Sequence, residues 1–369
     1  MERLNWGDWP LEQLDAISWE YVFKGNFRTM PYPNRSSWWR TRFGRLMGYV
    51  LHQCVAEDKD EQYRDRMFKL LMLLPRWTCQ PGHRKEGPAR VQLGLLERGE
   101  FSTLHANATG TPPQQAHLLL DAPEHELATR VQTPGQRAQQ VKRAVQLVTV
   151  GDPARAYNTL TSRANIVEMT EDNERKVVAT FPRGDQPELR PDPISPDNER
   201  LLRSEQLVTP DLLRKVLRRM KRLAGGGGSR WRLEHVLTFL RSGGDPIMLA
   251  PLINAVIEGR VPAGAKPYLY GGALTPLSKP QGGIRPIVVG EVFVRIAGAA
   301  LASKCKGAAG EFLRARFQMG VGVPAGAEQM IHAVRAALAA HPDWVVFKGD
   351  ITNALNSISR ECIWRAAAP

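Results

Sequence analysis

Asp350, an acidic residue near the end of the printed sequence, has the surroundings expected of a metal-binding catalytic carboxylate. It follows residues 344–349, an apolar run rich in valine that predicts a buried strand, and it precedes turn-forming threonine and asparagine residues. A rigid strand fixes a carboxylate at its exit while the turn leaves room for a substrate, which suits metal-assisted phosphoryl transfer. The alternative from these residues alone is a solvated aspartate that caps a helix beginning at Ile351.

Two basic residues, Lys279 and Arg285, flank a predicted β-turn. Residues 280–283 read Pro-Gln-Gly-Gly and separate two apolar runs within residues 272–291, a pattern that predicts a hairpin because glycine supplies the positive φ angles of the turn. An ammonium group and a forked guanidinium group on a rigid hairpin suit a triphosphate. Taken singly, each of these residues is also typical of an ordinary surface charge.

A strongly basic helix is predicted at residues 209–223, with Thr209 as its cap, a buried apolar stripe along one side and a run of glycines beyond its end. We expect its basic face, and one arginine after the glycines, to contact nucleic acid. The residues in question are Arg214, Lys215, Arg218, Arg219, Arg222 and Arg230. A solvated basic surface and a nuclear-localisation signal are the alternatives for this segment.

The composition favours a polyanionic partner. Fifty Lys and Arg residues against 37 Asp and Glu give the 369-residue chain a formal net charge of +13, and basic proteins gain affinity for nucleic acid by releasing its counterions. An anionic membrane surface is the second possibility by charge, but no apolar window approaches the length of a membrane span and the first residues carry no signal peptide. We therefore expect a soluble intracellular protein with no membrane partner, located in the nucleus.

The four cysteines are widely scattered, which fits a reducing compartment. Cys79 and His83 lack a second pair of ligands nearby, which argues against a zinc finger.

Composition divides the chain into four regions. Residues 1–80 are predicted to form a tryptophan-rich helical region, with a helix from Asp58 that ends before Pro75. Residues 81–134 are predicted to be a loosely ordered connector. Residues 135–200 are predicted to be a helical lead-in followed by an acidic and proline-rich linker, and residues 201–369 hold the motifs described above. The Trp38-Trp39 pair, flanked by arginines, could stack on bases but is more typical of a core.

Several of these motifs together resemble the reverse transcriptases of LINE-like, non-LTR, type-1 retrotransposons. Residues 347–360 resemble the first catalytic motif of that family, with Asp350 in the matching place and Leu355 where the family normally has an aromatic residue. Residues 279–287 resemble the fingers signature K-P-x-G-G-x-R-P-I, residues 223–236 resemble the segment GGPSGWRLEHL, and residues 318–328 resemble Q-x-G-V-x-x-G-x-E. The resemblance covers residues 135–363 and none of the first 130.

The resemblance implies an α+β fold, namely a partial right-hand polymerase with fingers and an incomplete palm, preceded by a mainly helical N-terminal region. The implied activity is RNA-directed DNA synthesis by two-metal nucleotidyl transfer, with Mg²⁺ as cofactor and an RNA template, a DNA primer and deoxynucleoside triphosphates as partners. It implies that Asp350 is a metal ligand, that Lys279 and Arg285 grip the triphosphate, and that Leu355 lies beneath the sugar. Gln318 and Gly320 would lie near the template.

The second catalytic motif of the family, an Asp-Asp hairpin, has no counterpart here, because Glu361 is the only acid after Asp350. We therefore expect the chain as given not to polymerise DNA by itself. The first alternative is a non-catalytic nucleic-acid-binding remnant or scaffold. The second is a helical protein-interaction module whose positive charge is incidental.

Overall fold

A computed structural model describes residues 6–24, 36–80, 86–109, 134–161, 166–181, 207–279 and 282–351, together with residues 358, 359 and 362. The described chain is mostly helical with one small two-stranded sheet, consistent with an α+β fold. It divides into two compact units. The first unit comprises Met1–Asn173 and Gln206–Ala297, and the second comprises Glu174–Glu205 and Gly298–Pro369.

The helices of the described residues are α1 (Trp19–Lys24), α2 (Ser37–Cys54), α3 (Glu61–Thr78), α4 (Glu86–Glu97), α5 (Phe101–Thr109), α6 (Pro134–Thr149), α7 (Pro153–Thr161), α8 (Glu171–Val178), α9 (Pro210–Arg219), α10 (Leu233–Arg241), α11 (Pro246–Ile257), α12 (Lys266–Leu269), α13 (Val292–Arg314) and α14 (Gly326–Ala340). The strands are β1 (Gly272–Ser278) and β2 (Ile284–Gly290). Short 3₁₀ helices occupy Trp6–Asp8, Leu11–Ala16 and Ala263–Ala265.

Helix α3 is the centre of the first unit, and it continues three residues past Pro75, where the sequence predicts its end. A proline inside a helix has no N–H to donate to the carbonyl four residues earlier, which here is that of Leu71. That carbonyl instead accepts a hydrogen bond of 2.8 Å from the indole Nε1 of Trp231. The helix therefore passes its proline because a distant tryptophan satisfies the carbonyl that the proline leaves unpaired.

Within the region predicted as a loosely ordered connector, residues 86–109 form helices α4 and α5. Their buried faces carry Leu93, Leu96 and Phe101, and the backbone carbonyl of Glu97 accepts a hydrogen bond of 3.1 Å from Trp9 Nε1. The interpretation as a loose connector is wrong for these residues because Gly, Thr and Gln interrupt the apolar pattern without removing it. Residues 110–133 lie outside the described part of the chain.

The N-terminal helices share one core with residues 207–297. Trp39 is fully buried and stacks on Phe43 with ring centroids 4.7 Å apart, so it is a core residue and not a platform for bases. Helix α2 packs against α10 and α11, and a Cβ on Gly44 would come within 2.6 Å of the Cβ of Ser242. The tryptophan-rich region therefore folds together with the start of the motif-bearing region, in one compact unit.

The hairpin predicted over residues 272–291 is confirmed. Strands β1 and β2 pair antiparallel from Gly272 opposite Gly290 to Ser278 opposite Ile284. Gly282 and Gly283 both have a φ of +88° in the turn, as a glycine pair permits. Residues 166 and 167 add a short bridge to β1, in which the backbone N–H of Val167 donates to the carbonyl of Pro276 at 2.9 Å.

In the second unit, the predicted buried strand before Asp350 is not formed. Residues 344–350 have no regular secondary structure, and Val345 and Phe347 are 91% and 93% exposed. A strand needs a neighbour for its backbone N–H and C=O groups. Among the described residues, β1 and β2 pair with each other, and residues 344–350 pair with neither strand.

None of the helices in the described residues combines the length and apolar character that a membrane crossing requires.

The imidazole of His105, on α5, is enclosed in the first unit without exposed surface. Its ring lies 5.3 Å from that of Tyr21 and 6.2 Å from that of Trp77, and neither ring nitrogen has a hydrogen-bond partner among the described residues. Burial, helped by the nearby positive charge of Arg76, lowers the pKa of His105 from 6.5 to about 4.

We expect His105 to make the protein less stable as the pH falls. Between pH 6.5 and about 4 the folded state binds fewer protons at this residue than the unfolded chain, so the free energy of unfolding should decrease, by up to about 3 kcal/mol. His105→Phe removes the titrating imidazole. The free energy of unfolding in urea should therefore differ less between about pH 7 and about pH 5 in this variant than in the wild type. The matched control His332→Phe, at an exposed position, should keep the wild-type dependence, and an unchanged dependence in His105→Phe would show the expectation to be wrong.

Candidate functional site

Lys279 and Arg285 lie together at the turn of the hairpin. Arg285 pairs with Leu277 across the two strands, and Lys279 is two residues beyond Leu277, so the alternation of side chains puts both cations on one face. The backbone N–H of Lys279 donates to the carbonyl of Gly283 at 3.0 Å, which closes the turn. Lys279 is half-buried, Arg285 is exposed, and neither has an ion pair with a described residue. The hairpin therefore presents two adjacent positive charges that an anionic group can reach.

A buried polar network holds the base of the hairpin. Glu291 directly follows β2 and is 1% exposed, and its carboxylate accepts from the backbone N–H of Ser229 at 2.8 Å and from the Ser229 hydroxyl at 2.5 Å. The carbonyl of Gly228, on the other side of the same peptide group, accepts from Arg76 Nη2 at 2.8 Å. Arg76 Nη1 also donates to the carbonyl of Tyr21 at 2.7 Å. One peptide group thus connects a buried cation on α3 with a buried anion after β2.

Burial shifts both charged groups of this network toward their neutral forms. It lowers the pKa of Arg76 to about 9 and raises the pKa of Glu291. The hydrogen bonds from Ser229 and the charges of Arg76 and Arg230 act in the opposite direction on Glu291. Arg230, predicted to contact nucleic acid, is half-buried here, and burial lowers its pKa. The charges of Arg230 and Glu291 therefore act on each other.

The basic helix α9 has the predicted cap and buried stripe. The Thr209 hydroxyl accepts from the backbone N–H of Leu212 at 3.3 Å, while Leu213, Val216 and Leu217 are buried. The helix ends at Arg219, before the predicted end at residue 223, and Met220 has an extended backbone. The basic helix is therefore one turn shorter than predicted.

Its basic residues fall into two groups. Lys215, Arg218 and Arg219 are exposed and have no ion pair with a described residue. Arg214 is exposed but lies 2.6 Å from Asp211 and 3.0 Å from Asp245. Arg222, which the pattern predicts on the outside, is half-buried and lies 3.6 Å from the buried carboxylate of Glu234. Lys215, Arg218 and Arg219 are therefore the exposed cations of this helix that have no ion pair with a described residue.

The remaining candidate residues belong to the second unit. Asp350 is exposed, and Gln318 and Gly320 lie in an exposed turn where the Gln318 side-chain oxygen accepts from the backbone N–H of Gly320 at 2.7 Å. Leu355 lies outside the described residues. No group of three or more His, Cys, Asp or Glu side chains that could hold a metal occurs in the described part of the chain. Asp350 therefore belongs to no such group among these residues.

Neither Arg76 nor Glu291 is among the residues that the sequence motifs indicate. Arg76 stands in the last turn of α3 among buried apolar residues, and Glu291 stands between a strand and a helix. A charged residue within an otherwise apolar, buried stretch is the signal that could have found Arg76, since such charges are rarely buried without partners.

Comparisons with protein-family models, with curated proteins and with solved structures found no match for this chain. The fold and the site define a mainly helical α+β protein that presents a cationic hairpin and a basic helix from one compact unit.

The glycine run before Trp231 provides a test of the buried network. A Cβ on Gly227 would lie 2.4 Å from Glu291 Oε1 and 2.9 Å from the Glu291 Cα, whereas a Cβ on Gly225 meets only Val289, at 3.6 Å or more. We expect Gly227→Ala to lower the free energy of unfolding by about 2 kcal/mol or more, and Gly225→Ala, two residues away, by less than about 1 kcal/mol. Urea unfolding of the two variants measures this, and equal losses would contradict the assigned packing.

Proposed function

We propose that this chain carries the fingers and the front part of the palm of a reverse transcriptase of the LINE-like type, and that it binds a nucleoside triphosphate and nucleic acid. The observation that carries the proposal is the hairpin with Lys279 and Arg285 on one face beside its turn. This arrangement matches the residues and spacing of the fingers signature that the sequence resembles. It supports a phosphate-binding role because two donors of fixed separation can contact neighbouring phosphates.

In this proposal each part of the first unit has one task. Lys279 and Arg285 contact the triphosphate, while Lys215, Arg218 and Arg219 contact the RNA template or the DNA primer through their phosphates. The network around Glu291 joins the end of β2 to the glycine run. A nuclear location is part of the same proposal and rests on the basic segment around α9.

For Asp350 we propose the role of a metal ligand, whose Mg²⁺ would lower the charge of the reacting phosphates. No polymerisation step is assigned to this chain alone, since Asp350 is the one carboxylate that the resemblance matches.

A second candidate function is non-catalytic binding of nucleic acid, as in a remnant or scaffold. It is favoured by the three exposed cations of α9, which need no metal and no nucleotide to bind phosphates. The two candidates differ in what they expect of the hairpin, because only the polymerase requires Lys279 and Arg285 to bind a triphosphate.

We expect Lys279→Ala and Arg285→Ala each to raise the Kd for a fluorescent deoxynucleoside triphosphate roughly tenfold or more, because each removes a charge-assisted hydrogen bond of about 1.5–3 kcal/mol. Lys266→Ala, which removes one exposed positive charge from α12 of the same unit, should leave the Kd within about twofold. Fluorescence titration measures all three.

An unchanged Kd in both hairpin variants would rule out the triphosphate site. Binding of RNA without any binding of the triphosphate would instead favour the non-catalytic candidate.

A further inference from the structure

Four arginines of the first unit meet at one stretch of backbone outside the hairpin: three donate to its carbonyls, and the fourth belongs to the stretch itself. We call them the arginine cluster: Arg143 on α6, Arg155 on α7, and Arg222 and Arg232 in the segment between α9 and α10. Arg155 donates from Nη1 to the carbonyl of residue 222 at 2.9 Å and from Nη2 to the carbonyl of Leu223 at 3.2 Å. Arg143 Nη2 donates to the same Leu223 carbonyl, and Arg232 Nη1 donates to the carbonyl of residue 224 at 3.1 Å.

Two carboxylates of the described residues lie beside the cluster. Asp152 is 3.2 Å from Arg155, and Glu234 is 3.6 Å from Arg222. Burial lowers the pKa of Arg143, and the charge of Arg155 lowers it further. The cations of the cluster therefore repel one another, and an added anion would relieve that repulsion.

The backbone at Leu223 keeps the cluster assembled. Leu223 has a φ of +55°, its N–H donates to Glu234 Oε1 at 2.6 Å, and its side chain is buried in a small apolar core with Ala144, Leu147 and Ala156. That core packs the α6 and α7 pair against the segment. The carbonyls thus hold guanidinium groups from separate elements in one place before any ligand arrives, which lowers the entropy cost of binding.

The cluster has donors left and is open to solvent. A guanidinium group carries five N–H donors, and the contacts of Arg143 with described residues use one nitrogen. The side chains of Arg155 and Arg222 are 28% and 27% exposed. An anion in solution can therefore reach the cluster without a rearrangement of the fold.

We propose that the arginine cluster binds phosphate groups of a nucleic-acid strand. Guanidinium forks match phosphate oxygens in pairs, which makes phosphate the ligand of choice for several arginines together. The exposed Arg218, Arg219 and Lys221 precede Arg222 directly in the chain, so the cluster continues the basic surface of α9. A row of cations suits a chain of phosphates better than a single compact anion. The proposal rests on the nucleic-acid binding proposed above and extends it to helices α6 and α7.

The first test uses the wild-type protein, so it does not depend on the folding of a variant. Arginines are modified with phenylglyoxal, with and without a single-stranded RNA oligonucleotide, and the modified peptides are quantified by mass spectrometry. At an RNA concentration ten times the Kd, we expect Arg143, Arg155 and Arg222 to react about tenfold more slowly. Arg98 and Arg260, whose side chains are 58% and 60% exposed, serve as controls and should react at an unchanged rate.

Three results would overturn the proposal in different ways. RNA that binds, by fluorescence anisotropy, without protecting the cluster would remove this site and leave the proposed function standing. RNA that does not bind at all would remove both. If inorganic tripolyphosphate at the same phosphate concentration protects the cluster equally well, the ligand of the cluster is a compact anion and not a nucleic-acid strand.

A matched pair of variants provides the second test. Arg155→Gln should weaken RNA binding and lower the slope of log K against log salt by about 0.7, the value for one lost phosphate contact on a single strand. Arg260→Gln removes the same charge elsewhere in the unit and should leave the slope unchanged. Circular dichroism melting shows whether Arg155→Gln still folds. A lower melting temperature with an unchanged salt slope would mean that Arg155 only supports the Leu223 turn, which would overturn the proposal.

Discussion

The peptide group between Gly228 and Ser229 connects two buried charges, and the arrangement of the first unit depends on it. Its carbonyl accepts from Arg76 on α3, and its N–H donates to Glu291 at the end of β2. Removal of either charge would leave the other buried with less compensation, at a cost of several kcal/mol. The glycines at 227 and 228 have no side chain, which allows the carboxylate and the Phe23 carbonyl to approach this closely. One short contact thus ties the N-terminal helices to the hairpin.

Burial divides the arginines of this protein into two groups with different tasks. Arg76 and Arg230 have lowered pKa values because they lie away from water, and their charges offset that of the buried Glu291. Arg218, Arg219 and Arg285 are exposed and add positive potential to the surface. The net charge of the chain does not distinguish the two groups. Only the second group, together with the partly open arginine cluster, can attract a polyanion from solution.

The segment before Asp350 has the residues of a strand but does not form one. Its valines have strand propensity, but propensity describes a residue that fits a paired and half-buried surface. Elsewhere in the second unit two backbone segments pack closely, since a Cβ on Gly322 would lie 2.7 Å from the Cα of Gly310. No such packing covers Val345 or Phe347. The apolar side chains of this segment are therefore exposed to solvent.

The sequence by itself determined features that depend on a few neighbouring residues. The cap at Thr209, the glycine turn of the hairpin and the buried stripe of α9 all follow from local hydrogen bonding and side-chain periodicity, and the structure confirms them. The hairpin and its two cations could therefore be predicted as a candidate site.

Only the tertiary structure decided what depends on distant partners. Pro75 stays inside α3 because Trp231 reaches the Leu71 carbonyl, and residues 86–109 become helices because Trp9 and the N-terminal core cover them. The burial of Arg222 and the gathering of Arg143 and Arg155 around Leu223 likewise join residues about 70 to 80 positions apart. The physical reason is that the burial of a charge, and the satisfaction of a carbonyl, are set by neighbours in space that no local pattern of residues specifies.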